Sequence, residues 1–476
     1  MSQPFNKLYL LFPLLIIVYA FCFLNWSGPK VDESLMANAP YNLVHQGVYG
    51  TTILKDVCGF DKISFINLPV YQIFLISAYK LLPGFSPLVV GRFVSMALFF
   101  ASFFMLIQLF HIYLPKNEGR SSRTLLALLV YVSPLVMLNS SIIIRPEMAV
   151  VLFSLMSFFF WKRSETLKKN SKYVVLFMAG LSASLSALSH LPGLYIIPSL
   201  FLFQGIKYST RKSTQDFIYE SLSLILGVFI PMMIYLVFIW MNRDLFFQQV
   251  FLFQGLASHP SLLLKFKGLL YQMFNVKSIS ITILLFYALF SLRVVKYKKE
   301  FVIIIGLIFL NLFFVNNKHP FYAVIFLPWI SLIIFLSFQS ARKSFFMGLF
   351  IALTIVHSFL GVIFVTNNNW EEGLTAITRV VEGGGNETVL APALLWFNMK
   401  NMQFTALEEY DWWVDNKLKP FCNIPPNKYK WIVLTSTFTQ TNPEYMQYFN
   451  HYKLIGVFPM KGIKYMKYAV VLNRKQ

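Results

Sequence analysis

Long apolar runs alternate with short polar ones along most of the chain. Apolar windows occupy Leu8–Leu24, Pro87–Leu114, Thr124–Asn139, Arg145–Trp161, Tyr173–Ser189, Leu191–Phe203, Phe217–Trp240, Ser278–Leu292, Phe301–Phe314, Phe321–Phe338 and Phe345–Val365. As helices, most approach the roughly 20 residues needed to cross a hydrocarbon core of about 30 Å, so the pattern predicts about eleven spans. Leu191–Phe203 is the shortest and crosses only if Ser189 to Gly193 turns tightly at the membrane surface.

The run Phe65–Leu82 is ambiguous, because it opens with Asn67 and Pro69 and contains Ser77, Tyr79 and Lys80. Charge decides it. If it spans, the basic loops at 116–123, 162–172 and 207–212 all fall outside, against the positive-inside rule; if it lies along the outer interface, they fall inside with 293–299 and 341–343. The expectation is an interfacial helix. Leu8–Leu24 ends in FLNWSG without a small-x-small cleavage site, which predicts an uncleaved first span with a cytoplasmic N-terminus. An odd number of spans then puts the C-terminal segment outside.

Composition agrees with the pattern. Of 476 residues, 57% are hydrophobic and only 13% charged, with mean hydropathy +0.60, against roughly 25% charged in soluble domains. The fold class expected is an all-α polytopic membrane protein carrying a small soluble domain. The net charge of +21 sits in short clusters between apolar runs, a membrane-topology signature and not a nucleic-acid patch. Three cysteines make no disulfide framework and show no metal-ligand spacing; with Cys22 inside the first run, only Cys58 and Cys422 are left to pair.

Candidate chemistry concentrates in the polar stretch 26–50, within the first outer loop (25–86). Adjacent acids, Asp32 and Glu33, stand there just beyond a span in a chain poor in acids. Two readings stay open: a catalytic carboxylate, or an Asp32 N-cap on a short surface helix beginning at Glu33. Pro40 is expected to break that helix and start a second one. The same outer face holds Arg145, Glu147, His190, Lys318 and His319, costly near hydrocarbon unless they line a watery or ligand-filled cavity, or snorkel to the headgroups. The second outer loop, 241–277, mixes Phe and Leu with Gln, His and Lys and predicts an interfacial amphipathic hairpin.

After Val365 the composition changes. Domains are therefore expected at 1–366 and 367–476, the second an outer α/β or α+β unit with strand and helix pieces around 387–399, 428–436, 448–458 and 467–474. Its Glu408, Glu409 and Asp411 beside Trp412 and Trp413 suit either sugar stacking or ordinary capping and packing. The glycines at 383–385 do not follow a strand and open a helix, so they form no phosphate loop.

The order of these features resembles the C-type-fold, polyprenyl-phosphate-sugar-dependent membrane glycosyltransferases, especially the glycosyltransferase family 39 group of protein O-mannosyltransferases and lipid A aminoarabinose transferases. The residues that carry the resemblance are Asp32-Glu33, the segment 67–96 with Pro69, Tyr71, Gly84 and Arg92, the RPE at 145–147, and HPFYAVIFLPWISL at 319–332. The chain departs at Leu68, where the group has a first proline, and at Asn67, where the lipid A enzymes have a phosphate-binding lysine.

The resemblance implies transfer of a sugar from a polyprenyl-phosphate donor to a hydroxyl acceptor, a glycolipid, polysaccharide or protein, on the outer face of a bacterial inner membrane. It implies Asp32 as general base with inversion at the anomeric carbon, and Glu33, Arg92, Arg145, Lys318, His319 and Tyr322 as substrate-binding residues, with Glu33 positioning the acceptor or a cationic partner and Arg92 open to a second role as an anchor of its helix. No DxD sequence occurs, so no obligatory metal or other cofactor is expected. Two alternatives remain: a transporter or flippase, which should show inverted repeats and interrupted helices, and a surface-polysaccharide polymerase or ligase, which should show a large outer loop rich in Arg and His.

Overall fold

The computed structural model describes residues 29–54, 59–113, 120–211, 214–256, 261–275, 278–295, 298–315, 320–337, 352, 355–356, 370–382, 387–400, 402–406, 429–436, 451–459 and 468–474. Apolar windows become helices: α1 (Val31–Gln46), α2 (Pro69–Leu81), α3 (Pro87–Tyr113), α4 (Arg120–Val132), α5 (Leu135–Ile142), α6 (Glu147–Ser164), α7 (Lys169–Ser189), α8 (Ile196–Arg211), α9 (Thr214–Met241), α10 (Arg243–Leu256), α11 (Leu262–Phe274), α12 (Ile279–Ser291), α13 (Lys298–Val315) and α14 (Leu327–Ser337).

Among the described residues three helices are long and apolar enough to cross a membrane, or up to five if each bent pair is one span. One pair is α4 with α5, bent by 69°. Pro134 stands at the α5 N-cap with extended backbone, and it has no amide hydrogen with which to continue the preceding helix. The other pair is α11 with Ile279–Val294, bent by 93°. The run Leu8–Leu24 and nearly all of Phe345–Val365 lie outside the described residues.

Two glycines set the helix spacing where α7 crosses α9. A Cβ on Gly180 would lie 2.3 Å from the Leu224 carbonyl oxygen, and one on Gly227 would lie 2.2 Å from that of Phe177. The backbones approach that closely because neither side chain exists.

The described part of segment 29–82 packs against the apolar helices and the C-terminal sheet. α1 runs unbroken from Val31 to Gln46 through Pro40, which corrects the expected break. Tertiary bonds on both sides of Pro40 hold it straight. Asn38 accepts the Thr52 amide hydrogen at 2.7 Å, and Asn42 donates to Asn38 Oδ1 at 3.1 Å and to the Gly50 carbonyl at 2.9 Å, all on one buried face. α2 begins with Pro69 in its first turn and packs on α1 and α3. The second outer loop supplies α10 and α11, and Gln249 clamps the first loop by accepting the Phe65 amide at 2.9 Å and donating to the Ile63 carbonyl at 2.8 Å.

The C-terminal segment contains α15 (Trp370–Glu382), a short helix α16 (Trp396–Met399) and a five-stranded mixed sheet of order β2-β1-β3-β5-β4. β1 (Thr388–Ala391) pairs parallel with β2 (Gln403–Ala406) and β3 (Trp431–Thr435); β5 (Tyr468–Arg474) pairs antiparallel with β3 and β4 (Tyr452–Pro459). The sheet docks on the first outer loop. The Ala406 amide donates to the Ile53 carbonyl at 2.9 Å, and Trp396 meets Tyr41 of α1 edge-on at 5.6 Å. β2 and α15 were not anticipated from sequence. Cys22, Cys58, Cys422, Gly383–Gly385, Glu408, Glu409, Asp411, Trp412 and Trp413 lie outside the described residues.

The α7–α9 crossing yields a prediction. Gly227→Leu should lower thermal stability by about 1–3 kcal/mol, the usual range for overpacking, while Gly84→Ala, where nothing lies within 4 Å, should change it little. Thermal unfolding of the detergent-solubilised protein reads both, and equal stability would mean the crossing is not tight.

Candidate functional site

Asp32 and Glu33 sit in the first turn of α1, whose N-cap is Lys30, so Asp32 is not the N-cap of a helix starting at Glu33. Consecutive residues point about 100° apart around a helix, and here the two acids face different surroundings.

Glu33 turns inward. Its Oε1 accepts from Arg92 Nε at 2.9 Å and from the Ile144 amide at 3.1 Å; its Oε2 accepts from Arg92 Nη2 at 2.8 Å and from the Lys30 amide at 3.0 Å. Both side chains are wholly buried. Burial alone would raise the Glu33 pKa, but the Arg92 charge and its hydrogen bonds outweigh that and hold the carboxyl below the ordinary range. The substrate contacts expected of Glu33 and Arg92 are not open in this structure, because their charged ends meet each other. The bidentate pair joins α1, α3 and the extended link before α6.

Asp32 turns outward. Its side chain is 44% exposed, and its Oδ2 takes a short contact from Arg145 Nη1. Arg145 is itself fixed, since its Nε donates to Glu147 Oε1 at 2.9 Å and its guanidinium lies 5.0 Å from the Phe321 ring centre. Glu147 is fully buried, and its Oε2 has no hydrogen-bond partner among the described residues. Tyr322 completes the wall, with its hydroxyl 3.1 Å from His190 Nε2. His190 lies on the extended link between α7 and the 3₁₀ turn Leu191–Tyr195.

The structure thus brings together Asp32, Arg145, Glu147, His190 and Tyr322 from four separate stretches of chain. Lys318 and His319 lie outside the described residues. Sequence reasoning gave no part to Lys30, whose amine lies 5.8 Å from the Phe321 ring centre, or to Asn67, whose amide donates to the Leu35 carbonyl at 3.3 Å. Asn67 thereby braces the helix that carries Asp32. Lys30 was legible only as a cation two residues before Asp32. Among the described residues no cluster of three His, Cys, Asp or Glu is arranged to hold a metal.

The family model for dolichyl-phosphate-mannose-protein mannosyltransferases matches residues 84–247, which carry Arg92, Arg145, Glu147 and His190. The crystal structure of ArnT from Cupriavidus metallidurans in the apo state superposes with a TM-score of 0.69 over 99% of this chain and 98% of that one, at 10% identity. The chain has the fold of ArnT along nearly its whole length. The same ArnT bound to undecaprenyl phosphate aligns with a TM-score of 0.64 at 11% identity, covering 98% of each chain. The archaeal oligosaccharyltransferase AglB from Archaeoglobus fulgidus gives 0.54 at 11% identity, over 97% of this chain and 75% of that one. No curated protein sequence matches this chain.

Glu33→Gln should cost about 3–5 kcal/mol, because it leaves Arg92 buried without its counter-charge. The pH dependence has a definite sign. A carboxyl with a depressed folded pKa stabilises above its unfolded value of about 4.3 and loses that contribution as pH falls through the folded one. The stability gap between wild type and Glu33→Gln should therefore shrink below about pH 4, and a gap independent of pH would contradict the pairing.

Proposed function

We propose that this glycosyltransferase moves a sugar from a polyprenyl-phosphate donor to a hydroxyl acceptor, with Asp32 as general base. One observation carries the reading. In a cluster whose other carboxylates are buried, Asp32 alone is half open, and it is aimed by an arginine that a buried glutamate pins in place. The matched family acts, by its description, from dolichyl phosphate mannose, and the ArnT fold is known with undecaprenyl phosphate bound. Both favour a lipid-phosphate donor here.

In the proposed reaction the acceptor oxygen attacks the anomeric carbon as the bond to the lipid phosphate breaks. Asp32 takes the hydroxyl proton, and the polyprenyl phosphate leaves with the bonding electrons. One displacement inverts the anomeric centre. Arg145, held by both Glu147 and Asp32, is the orienting group for the base. Lys30 and Tyr322 beside Phe321, with Lys318 and His319 on the adjoining stretch, supply positive charge and donors for the leaving phosphate.

The flippase reading gains something from the two bent helix pairs, but it gives no account of the glycosyltransferase family match or of the agreement with ArnT along nearly the whole chain. The second outer loop, folded as two helices rather than an Arg- and His-rich domain, disfavours the polymerase or ligase reading. The acceptor class, glycolipid, polysaccharide or protein, is open on this reading. We place the site on the face of the membrane away from the cytoplasm because the basic loops gather at the opposite ends of the helices.

Two experiments test this. Membranes holding Asp32→Asn, supplied with labelled polyprenyl-phosphate sugars, should transfer about 10²–10⁴-fold more slowly than wild type at matched protein level; undiminished transfer removes Asp32 as base. In intact cells, His451→Cys should react with a membrane-impermeant thiol reagent and Ser209→Cys should not. The reverse pattern inverts the topology.

A further inference from the structure

Helices α8 and α13 pack side by side, and each has one end at the candidate site. α8 follows His190 through the 3₁₀ turn, and α13 ends shortly before the turn carrying Phe321 and Tyr322. At their other ends, about 27 Å away along the 18 residues of α13, they frame a groove of about 420 Å³ lined by Ile206, Lys298, Lys299, Val302 and Ile303.

The walls of this groove are apolar and its rim is cationic. Val302 is 55% exposed, and both lysines are exposed. One turn beyond Val302, on the same side of α13, Gly306 is exposed and no atom lies within 4 Å of where its Cβ would stand; the same holds for Gly205 on α8, next to Ile206. Gly306 therefore leaves the apolar face of α13 open beyond Val302, toward the middle of the helix.

The neighbouring charges leave the rim positive. Lys207 is held by Glu220 at 2.7 Å, and Glu220 also takes Lys172. Glu300, the nearest acid in sequence, is partly buried and interacts with Lys162 of α6 as well as Lys299.

We propose that this groove binds one anionic glycerophospholipid of the inner leaflet, its phosphate between Lys298 and Lys299 and one acyl chain along Val302, Ile303 and Gly306. Charge complementarity and an open apolar track together select this occupant. A soluble anion has no use for the track, and a zwitterionic lipid gains little from two lysines. The site lies a membrane's thickness from Asp32 and is distinct from any donor site there. Its inner-leaflet assignment rests on the orientation proposed above, which the thiol-labelling experiment tests separately.

The test is lipid retention by the full-length protein, read by native mass spectrometry after exchange into detergent holding phosphatidylcholine with an equal amount of either phosphatidylglycerol or undecaprenyl phosphate. Wild type should retain one phosphatidylglycerol in preference to phosphatidylcholine. Lys298→Gln/Lys299→Gln should reduce that retention roughly thirtyfold, since each basic residue near a lipid surface contributes about 1 kcal/mol. Gly306→Leu, which leaves the lysines in place and fills the track, should reduce it as well; thermal unfolding in lipid-free detergent confirms that both variants are folded. Retention unchanged in both variants, or equal retention of phosphatidylcholine, would overturn the proposal. Preference for undecaprenyl phosphate over phosphatidylglycerol would overturn it too, marking the groove as a station for the lipid carrier.

Discussion

The buried pair of Glu33 and Arg92 is the constraint on which the rest of the site depends. Removing two charges from water costs several kcal/mol for each ion, and only near-ideal geometry offsets it. Here the geometry is bidentate, and two backbone amides occupy the remaining carboxylate positions. Because these bonds come from α3, from the start of α1 and from the link before α6, satisfying Glu33 fixes all three relative to one another. Asp32 is one residue away, so its direction follows.

A second, more open arrangement is built on that frame. Arg145 leaves the same link that donates Ile144 to Glu33, and it reaches Glu147 on one side and Asp32 on the other. The two adjacent acids thus separate into a sealed structural carboxylate and a half-exposed one. The C-terminal sheet closes over the loop through Ile53 and Tyr41, so the soluble segment helps hold the α1 helix although it comes some 350 residues later in the chain.

Much of this was legible in sequence for physical reasons. Scarce acids beside a span, and ionisable groups near hydrocarbon, are costly enough to mark Asp32, Glu33, Arg145, Glu147 and His190, whereas Tyr322 was expected only from the family resemblance. Which partner each would choose was not legible, because it depends on packing: Glu33 was open to an acceptor or a cationic partner and Arg92 to a phosphate or to anchoring its helix, and the fold joins the two as one ion pair. Pro40 misled for a similar reason. Its intrinsic helix penalty is local, whereas Asn38 and Asn42 anchor the helix through contacts with a later loop. The bend at Pro134 comes from a missing amide hydrogen inside an apolar run, which run length alone does not record, and β2 and α15 were too short or too polar to stand out.

The central claim, that Asp32 acts in the chemical step and not in holding the donor, is tested most directly by single-turnover kinetics on purified Asp32→Asn with bound polyprenyl-phosphate sugar. The account predicts donor affinity within about twofold of wild type and a transfer step slowed by about 10²–10⁴-fold. Donor affinity lost in parallel with transfer would contradict it, because Asp32 would then be a binding residue and the base would lie elsewhere in the cluster.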